Sequence, residues 1–70
     1  MKFINEPIMH IGFHYGVIID QEIWLSDTLI DMKRWAIENQ IKTYIDTLQI
    51  WFLTEDDRTV FYLTWSDSNG

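Results

Sequence analysis

The stretch Leu48–Trp65, which reads LQIWFLTEDDRTVFYLTW, determines the expected fold more than any other part of the chain. An acidic run at positions 55–57 separates two segments that are rich in strand-forming residues, Leu48–Leu53 and Val60–Trp65. Aromatic and aliphatic segments on either side of a polar tip are typical of a β-hairpin. We therefore expect these two segments to pair as antiparallel strands.

The two faces of this expected hairpin differ in how they would be covered. The face that includes positions 48, 50 and 52 is uniformly apolar, so we expect a helix to lie on it. The other face would place Leu53 opposite Val60 and Trp51 opposite Tyr62, with Trp24 as a candidate extension of the same patch. These side chains either fill a core beneath the N-terminal half of the chain or bind a partner, because tryptophan and tyrosine are enriched at binding hot spots.

The N-terminal half of the chain predicts another hairpin, followed by a helix. Residues 8–25 are mostly strand formers. Gly16 could start a turn, but a turn at Asp20-Gln21 fits the pattern better and would pair positions 17–19 with positions 22–24. Ser26 is a suitable N-cap for a helix that continues to about position 39. Apolar residues recur along it at near-helical spacing and predict a core-facing stripe: Leu29, Ile30, Met32, Ala36 and Ile37.

Together these patterns predict the fold class α+β, in the order ββαββ. We expect a small antiparallel sheet of three to five strands with one helix packed on one face. The alternative is a three-stranded sheet preceded by an irregular N-terminal segment. The chain is expected to be a single domain over 1–70, with 1–7 as an N-terminal segment and 66–70 as a frayed tail.

The charge of the chain disfavours several classes of ligand. Eleven acidic residues against five basic ones give a formal net charge of -6. Direct binding to nucleic acid needs clustered lysine and arginine, and anionic membranes repel such a protein, so we expect neither. The chain has no cysteine and no signal-like or membrane-spanning apolar run, so we expect a cytoplasmic location.

No set of residues in the sequence predicts catalysis or a cofactor. His10 and His14 share strand parity but lack the further ligands that a metal site needs. Asp27 and Asp31 are explained by their position at a helix start, and Ser26 by its role as a cap. We therefore expect no enzyme activity, no cofactor and no metal.

The sequence predicts a non-enzymatic protein–protein interaction module. Its size and charge favour a small acidic inhibitor or adaptor, of the kind that phages and mobile elements use to block a host protein. The expected partner is a protein, either basic or nucleic-acid-binding. The alternatives are a homodimeric structural subunit, joined through the second sheet face or an open edge, and an enzyme with an unrecognised site. The candidate partner-binding residues are Trp24, Trp51, Leu53, Val60 and Tyr62, with Glu55, Asp56 and Asp57 as an acidic docking point.

Overall fold

The computed structural model describes residues 1–5 and 12–66 of the chain. The secondary-structure elements follow in the order ββααββα. They are β1 (Lys2–Ile4), β2 (Tyr15–Ile18), α1 (Gln21–Trp24), α2 (Thr28–Glu38), β3 (Thr43–Asp46), β4 (Gln49–Phe52) and α3 (Glu55–Trp65). The predicted α+β class is confirmed, but the order ββαββ is not, because α3 follows the last strand.

The four strands form one open antiparallel sheet in the order β1-β2-β4-β3. Val17 at the centre of the sheet lies between Phe3 on β1 and Ile50 on β4. Since side chains alternate between faces along a strand, these three residues share one face. The sheet therefore agrees with the predicted strand number, and among residues 1–5 and 12–66 no strand pairs with the outer edge of β1 or of β3.

The predicted hairpin between Leu48–Leu53 and Val60–Trp65 is wrong. The second segment is helical and forms the C-terminal half of α3. Thr54 is the N-cap of this helix, and its side-chain oxygen accepts a hydrogen bond from the backbone N–H of Asp57 at 3.1 Å. The acidic run is therefore the first turn of a helix, where carboxylates are favoured by the helix dipole, and it is not a hairpin tip.

The first segment of that expected hairpin pairs with β3 instead. Thr47 and Leu48 connect β3 to β4, and Leu48 adopts a positive φ of 58°. The backbone N–H of Thr47 donates to Oδ1 of Asp46 at 2.7 Å, and the carbonyl of Leu48 accepts from Ile19 at 2.8 Å. Thr-Leu lacks the asparagine or glycine that marks most two-residue hairpin turns, so residue types at these positions did not indicate a turn.

The expected turn at Asp20-Gln21 is also wrong. β2 ends at Ile18, and Asp20 precedes the short helix α1 rather than a returning strand. The hairpin partner of β2 is β1, which lies within the segment 1–7 that we expected to stand apart from the sheet. Positions 6–11, and positions 67–70 of the frayed tail expected at 66–70, lie outside the described residues.

The predicted helix is present as α2, two residues after the expected cap. Ser26 Oγ accepts from the backbone N–H of Thr28 at 3.1 Å, so this hydroxyl binds one of the free donors at the helix start. Met32 and Ala36 are buried as predicted. Ile30 and Ile37 are instead 54% and 76% exposed, because they lie on the side of the helix opposite Met32.

The hydrophobic core lies between one face of the sheet and the helices. Its buried members come from β2, α2, β4 and α3 and from the residue after β2: Val17, Ile19, Met32, Ile50, Phe52 and Phe61. The ring of Phe61 lies 5.2 Å from that of Phe52 and 5.9 Å from that of Trp35, measured between ring centroids. This cluster fixes which side of α3 faces inward.

Candidate partner-binding surface

The structure buries Trp51, the residue around which the predicted binding patch was built. Its side chain is 2% exposed, so it is not available to a partner. The indole lies against Gly16, where an added Cβ would be 2.8 Å from Cε3 of Trp51, and its N–H donates to Gln49 at 3.1 Å. A glycine on the neighbouring strand therefore makes room for the indole on this side of the sheet.

The predicted sheet patch of Trp51, Leu53, Val60 and Tyr62 is therefore wrong as a continuous surface. Tyr62 lies on α3 and packs its half-buried ring edge-on against Phe3, with 4.7 Å between ring centroids. Trp51 is on the opposite face of the sheet from Phe3. The sheet thus separates the two aromatic residues that we expected to act together.

Trp24 does not extend that patch either. It ends α1, is half-buried and packs against the main core. Trp51 lies across the sheet from this core, because the neighbouring Ile50 and Phe52 point into it and Trp51 points away. Trp24 is therefore better described as a cover at the edge of the core than as part of a shared aromatic surface.

The three predicted acidic residues occupy the first turn of α3. Glu55 and Asp56 are exposed, and Asp57 is half-buried. A carboxylate oxygen of Glu55 lies 3.7 Å from Nη2 of Arg58, whereas Asp56 faces solvent. Two of the three predicted acidic residues are thus exposed, and the element that carries them is a helix instead of a hairpin tip.

Arg58 holds α3 in place and was not anticipated from the sequence. Its side chain is 2% exposed, and Nη1 donates to the carbonyl of Ile4 at 3.0 Å and to Oδ1 of Asn5. The guanidinium also lies over the Phe3 ring, 4.1 Å from its centroid, and 5.5 Å from the ring centroid of Tyr15. These contacts tie the helix to the edge strand β1 and so fix the direction in which its opposite side points.

That opposite side, which we call the α3 outer face, consists of Asp56, Val60 and Leu63. The three positions are four and then three residues apart, so they lie along one stripe of the helix. Val60 is 48% and Leu63 is 63% exposed. Val60 and Asp56 were predicted site residues, whereas Leu63 was not.

A second exposed stripe runs along α2, and we call it the α2 outer face. It consists of Ile30, Lys33, Arg34 and Ile37, all of them exposed. Arg34 makes one exposed ion pair with Asp31 at 3.8 Å, which is worth little and leaves donors of the guanidinium free. The helical period instead predicted Ile30 and Ile37 on the core-facing stripe, and the position of the sheet places them on this outer face.

No group of three or more histidine, cysteine or acidic side chains in 1–5 and 12–66 is placed to hold a metal ion. His14 is exposed, and His10 lies outside the described part of the chain. A groove of about 570 Å³ is lined by Asp20, Gln21, Glu22, Ile23 and Leu25. That lining brings together two carboxylates without a nucleophile or histidine beside them.

Comparison with protein-family models, with curated proteins and with solved structures finds no match to this chain. None of the helices within the described residues is both long enough and apolar enough to cross a bilayer. The function must therefore be inferred from the exposed side chains of the two outer faces.

Proposed function

We propose that this chain is a non-enzymatic protein–protein interaction module that binds through the α3 outer face. The observation that supports this proposal is the exposure of Val60 and Leu63 on a helix whose opposite side is fixed by Arg58 and Phe61. A helix held rigidly on a sheet presents its aliphatic side chains without an ordering cost at the moment of binding. That arrangement suits docking into an apolar groove of a partner.

The charge around these aliphatic side chains indicates the chemistry of the partner. Glu55 and Asp56 lie one turn before Val60, so a groove that accepts the aliphatic residues would meet two carboxylates at one end. Basic side chains at that end of the groove would complement them and speed association. A basic or nucleic-acid-binding protein fits this description, and the role that follows is that of a small acidic inhibitor or adaptor.

Site-specific photo-crosslinking tests this proposal. A photoreactive phenylalanine analogue at position 63 should give a discrete adduct in the cell of origin, and Asp56→Lys should reduce its yield. The same analogue at position 21, which is exposed on α1, is the matched control. Mass spectrometry then identifies the adduct, and the purified components should reproduce it. Absence of any adduct from position 63, or the same adducts from both positions, would contradict the proposal.

A further inference from the structure

We infer that two copies of this chain pair through the outer edge of β3, with the two strands antiparallel and centred on Tyr44. Among the described residues no strand pairs with that edge, so the backbone groups that point outward from it have no strand beside them there. The contact goes beyond the proposed function, because it uses none of the residues of the α3 outer face. A dimer of this kind would present that face twice to a partner.

The hydrogen bonds between β2 and β4 set the direction of the backbone groups. The backbone N–H of Ile19 donates to the carbonyl of Leu48 at 2.8 Å, as the next bond in the register of these two strands. Because backbone groups alternate in direction along an antiparallel strand, those of Ile50 also point to β2. Those of Trp51, the next residue, therefore point to β3.

The same alternation leaves two residues of β3 with outward backbone groups. Trp51 pairs with Tyr44, so the N–H and carbonyl of Tyr44 point to β4. Those of Thr43 and Ile45 therefore point away from the sheet. A second β3 strand forms hydrogen bonds with this one only in a register that sets outward residues opposite one another, where each such pair exchanges two bonds.

An antiparallel pair of β3 strands meets this condition when it is centred on Thr43, Tyr44 or Ile45. With Tyr44 at the centre, Lys42 of each copy lies opposite Asp46 of the other. Moving the centre to Thr43 or to Ile45 leaves Lys42 opposite an uncharged residue. Charge therefore selects the central register, in which the lysine–aspartate pair occurs twice by symmetry.

Lys42 and Asp46 are both exposed, and few other charges lie on their side of the sheet. They share a face with Trp51, whereas the helices pack on the opposite, core-facing side. Among the strand residues on the face of Trp51, the only further charge is that of Lys2, at the far edge of the sheet. This edge of a chain of net charge -6 thus carries one base and one acid, and a second copy supplies the complement of both.

The composition of β3 also favours pairing at its edge. The strand reads TYID, with three strand-forming residues and no proline, glycine or lysine within it. The other edge strand, β1, includes Lys2, and lysine is one of the residues that keep edge strands from pairing. β3 is therefore the better suited of the two edges.

Sedimentation velocity of the purified chain from micromolar to millimolar concentration tests for the dimer. Thr43→Pro removes an outward N–H and leaves the bonds between β3 and β4 in place, so it should raise the dissociation constant about tenfold or more. Thr43→Val keeps the N–H and the branched shape, and it should change the constant by less than about threefold. Urea unfolding checks that both variants remain folded.

Charge reversals test the register without changing the backbone. Lys42→Asp and Asp46→Lys each set like charges opposite one another, and each should weaken association about tenfold or more. The double variant restores opposite charges, keeps the net charge of -6 and should associate as the original chain does. Lys33→Asp and Glu22→Lys, at exposed positions, change the net charge equally and are the matched controls. Asp46→Asn is the milder variant, since it keeps an acceptor for the backbone N–H of Thr47.

Introduced cysteines report the register directly, because the chain has none of its own. In a mixture of Lys42→Cys and Asp46→Cys the thiols lie on opposed residues whose Cα atoms are about 4.5 Å apart, within the range for a disulfide. Oxidation of the mixture should therefore give a crosslinked dimer. Either variant alone places its two thiols about 13 Å apart, four residues along the strand, and should give none.

Three results would overturn the dimer: a chain that stays monomeric at every concentration, association that neither Thr43→Pro nor the charge reversals weaken, or cysteine variants that crosslink as well alone as mixed. Photo-crosslinking from position 63 separates this failure from failure of the proposed function. An adduct with a different protein, formed by a chain that stays monomeric, supports the interaction module and rejects the dimer.

Discussion

The inner and outer faces of α3 reverse the usual relation between hydrophobicity and burial. On the inner face Arg58 is 2% exposed beside Phe61 at 1%, whereas on the outer face Val60 is 48% and Leu63 is 63% exposed. Ranking by side-chain type would bury leucine and expose arginine. The comparison shows that in a domain with one small core, the direction of a side chain and the partners within its reach decide burial.

Most of the buried Arg58 guanidinium is compensated by its environment, although Nε has no hydrogen-bond partner among the described residues. Burial of a charge is costly unless hydrogen bonds and opposite charge are supplied. Arg58 donates hydrogen bonds to the carbonyl of Ile4 and to the amide oxygen of Asn5. Its guanidinium also forms an ion pair with Glu55 and lies over the ring of Phe3. Leu63 stays exposed because its position on the helix points it away from the sheet. Substitutions on one face of α3 at a time test whether the two faces differ in this way.

The largest effect should come from Phe61→Ala on the inner face. Removing this ring leaves a cavity between Phe52 and Trp35, so we expect the free energy of unfolding to fall by about 3–5 kcal/mol. Val60→Ala, one residue away on the outer face, should change it by less than about 0.5 kcal/mol. Urea unfolding followed by circular dichroism measures both. Equal losses for the two variants would show that the faces do not differ.

Arg58→Ala should have the next largest effect, about 2–3 kcal/mol, because it leaves the carbonyl of Ile4 and the side chain of Asn5 without their donor. Arg58→Lys should lose less, since it keeps the charge but not the planar set of donors. Both losses should persist at high salt, because the contacts are buried. Denaturant titrations with and without added salt measure this, with Lys42→Ala as an exposed control. A loss that disappears in salt would indicate a surface interaction instead.

Thr54→Ala should have a moderate effect, about 1 kcal/mol, by removing the acceptor for the backbone N–H of Asp57. Thr54→Ser keeps the hydroxyl and should restore most of this stability. Thermal unfolding of the three proteins gives the comparison. The expected order of stability is threonine, then serine, then alanine, and serine matching alanine would rule out a capping role.

Leu63→Ser should have the smallest effect on folding, within about 0.5 kcal/mol, because the side chain is already 63% exposed. Its effect on association should be larger than its effect on stability, since the outer face would lose apolar contact area. Unfolding titrations measure the first quantity. Co-sedimentation with the partner that crosslinking at position 63 identifies measures the second. A folding loss comparable to that of Phe61→Ala would place Leu63 in the core.

The missed helix had a readable signal in the sequence. Thr54 followed three residues later by Asp57 is a capping-box pattern, and three consecutive acids favour a first helical turn. Arg58, Phe61 and Trp65 then recur at helical spacing and occupy one side of α3. This spacing was not recognised as a core-facing stripe because its first member is an arginine. Val60–Trp65 is rich in strand-forming residues, yet it is helical. The N-cap at Thr54 and the packing of Phe61 into the core both favour the helix.

The predicted binding residues fall into two groups, those that the structure exposes and those that it buries. Glu55, Asp56 and Val60 are exposed on α3, although the hairpin that would have placed Val60 beside Trp51 is wrong. Trp51 was placed on a surface because nothing in the sequence shows that Gly16 lies beside it. That contact joins strands far apart in the chain, and a sequence pattern carries no information about such a neighbour.

Local chemistry was sufficient to specify an acidic α+β chain, the helix near Ser26, the strand of Gln49–Phe52 and the exposed carboxylates at positions 55 and 56. The packing of distant segments was needed to enclose Trp51, to bury Arg58 and to turn Ile30, Ile37 and Leu63 outward. The physical reason is that residue type sets backbone preference and the cost of exposure. Which side chains are exposed depends on where the sheet and helices meet, and distant parts of the chain fix that position together.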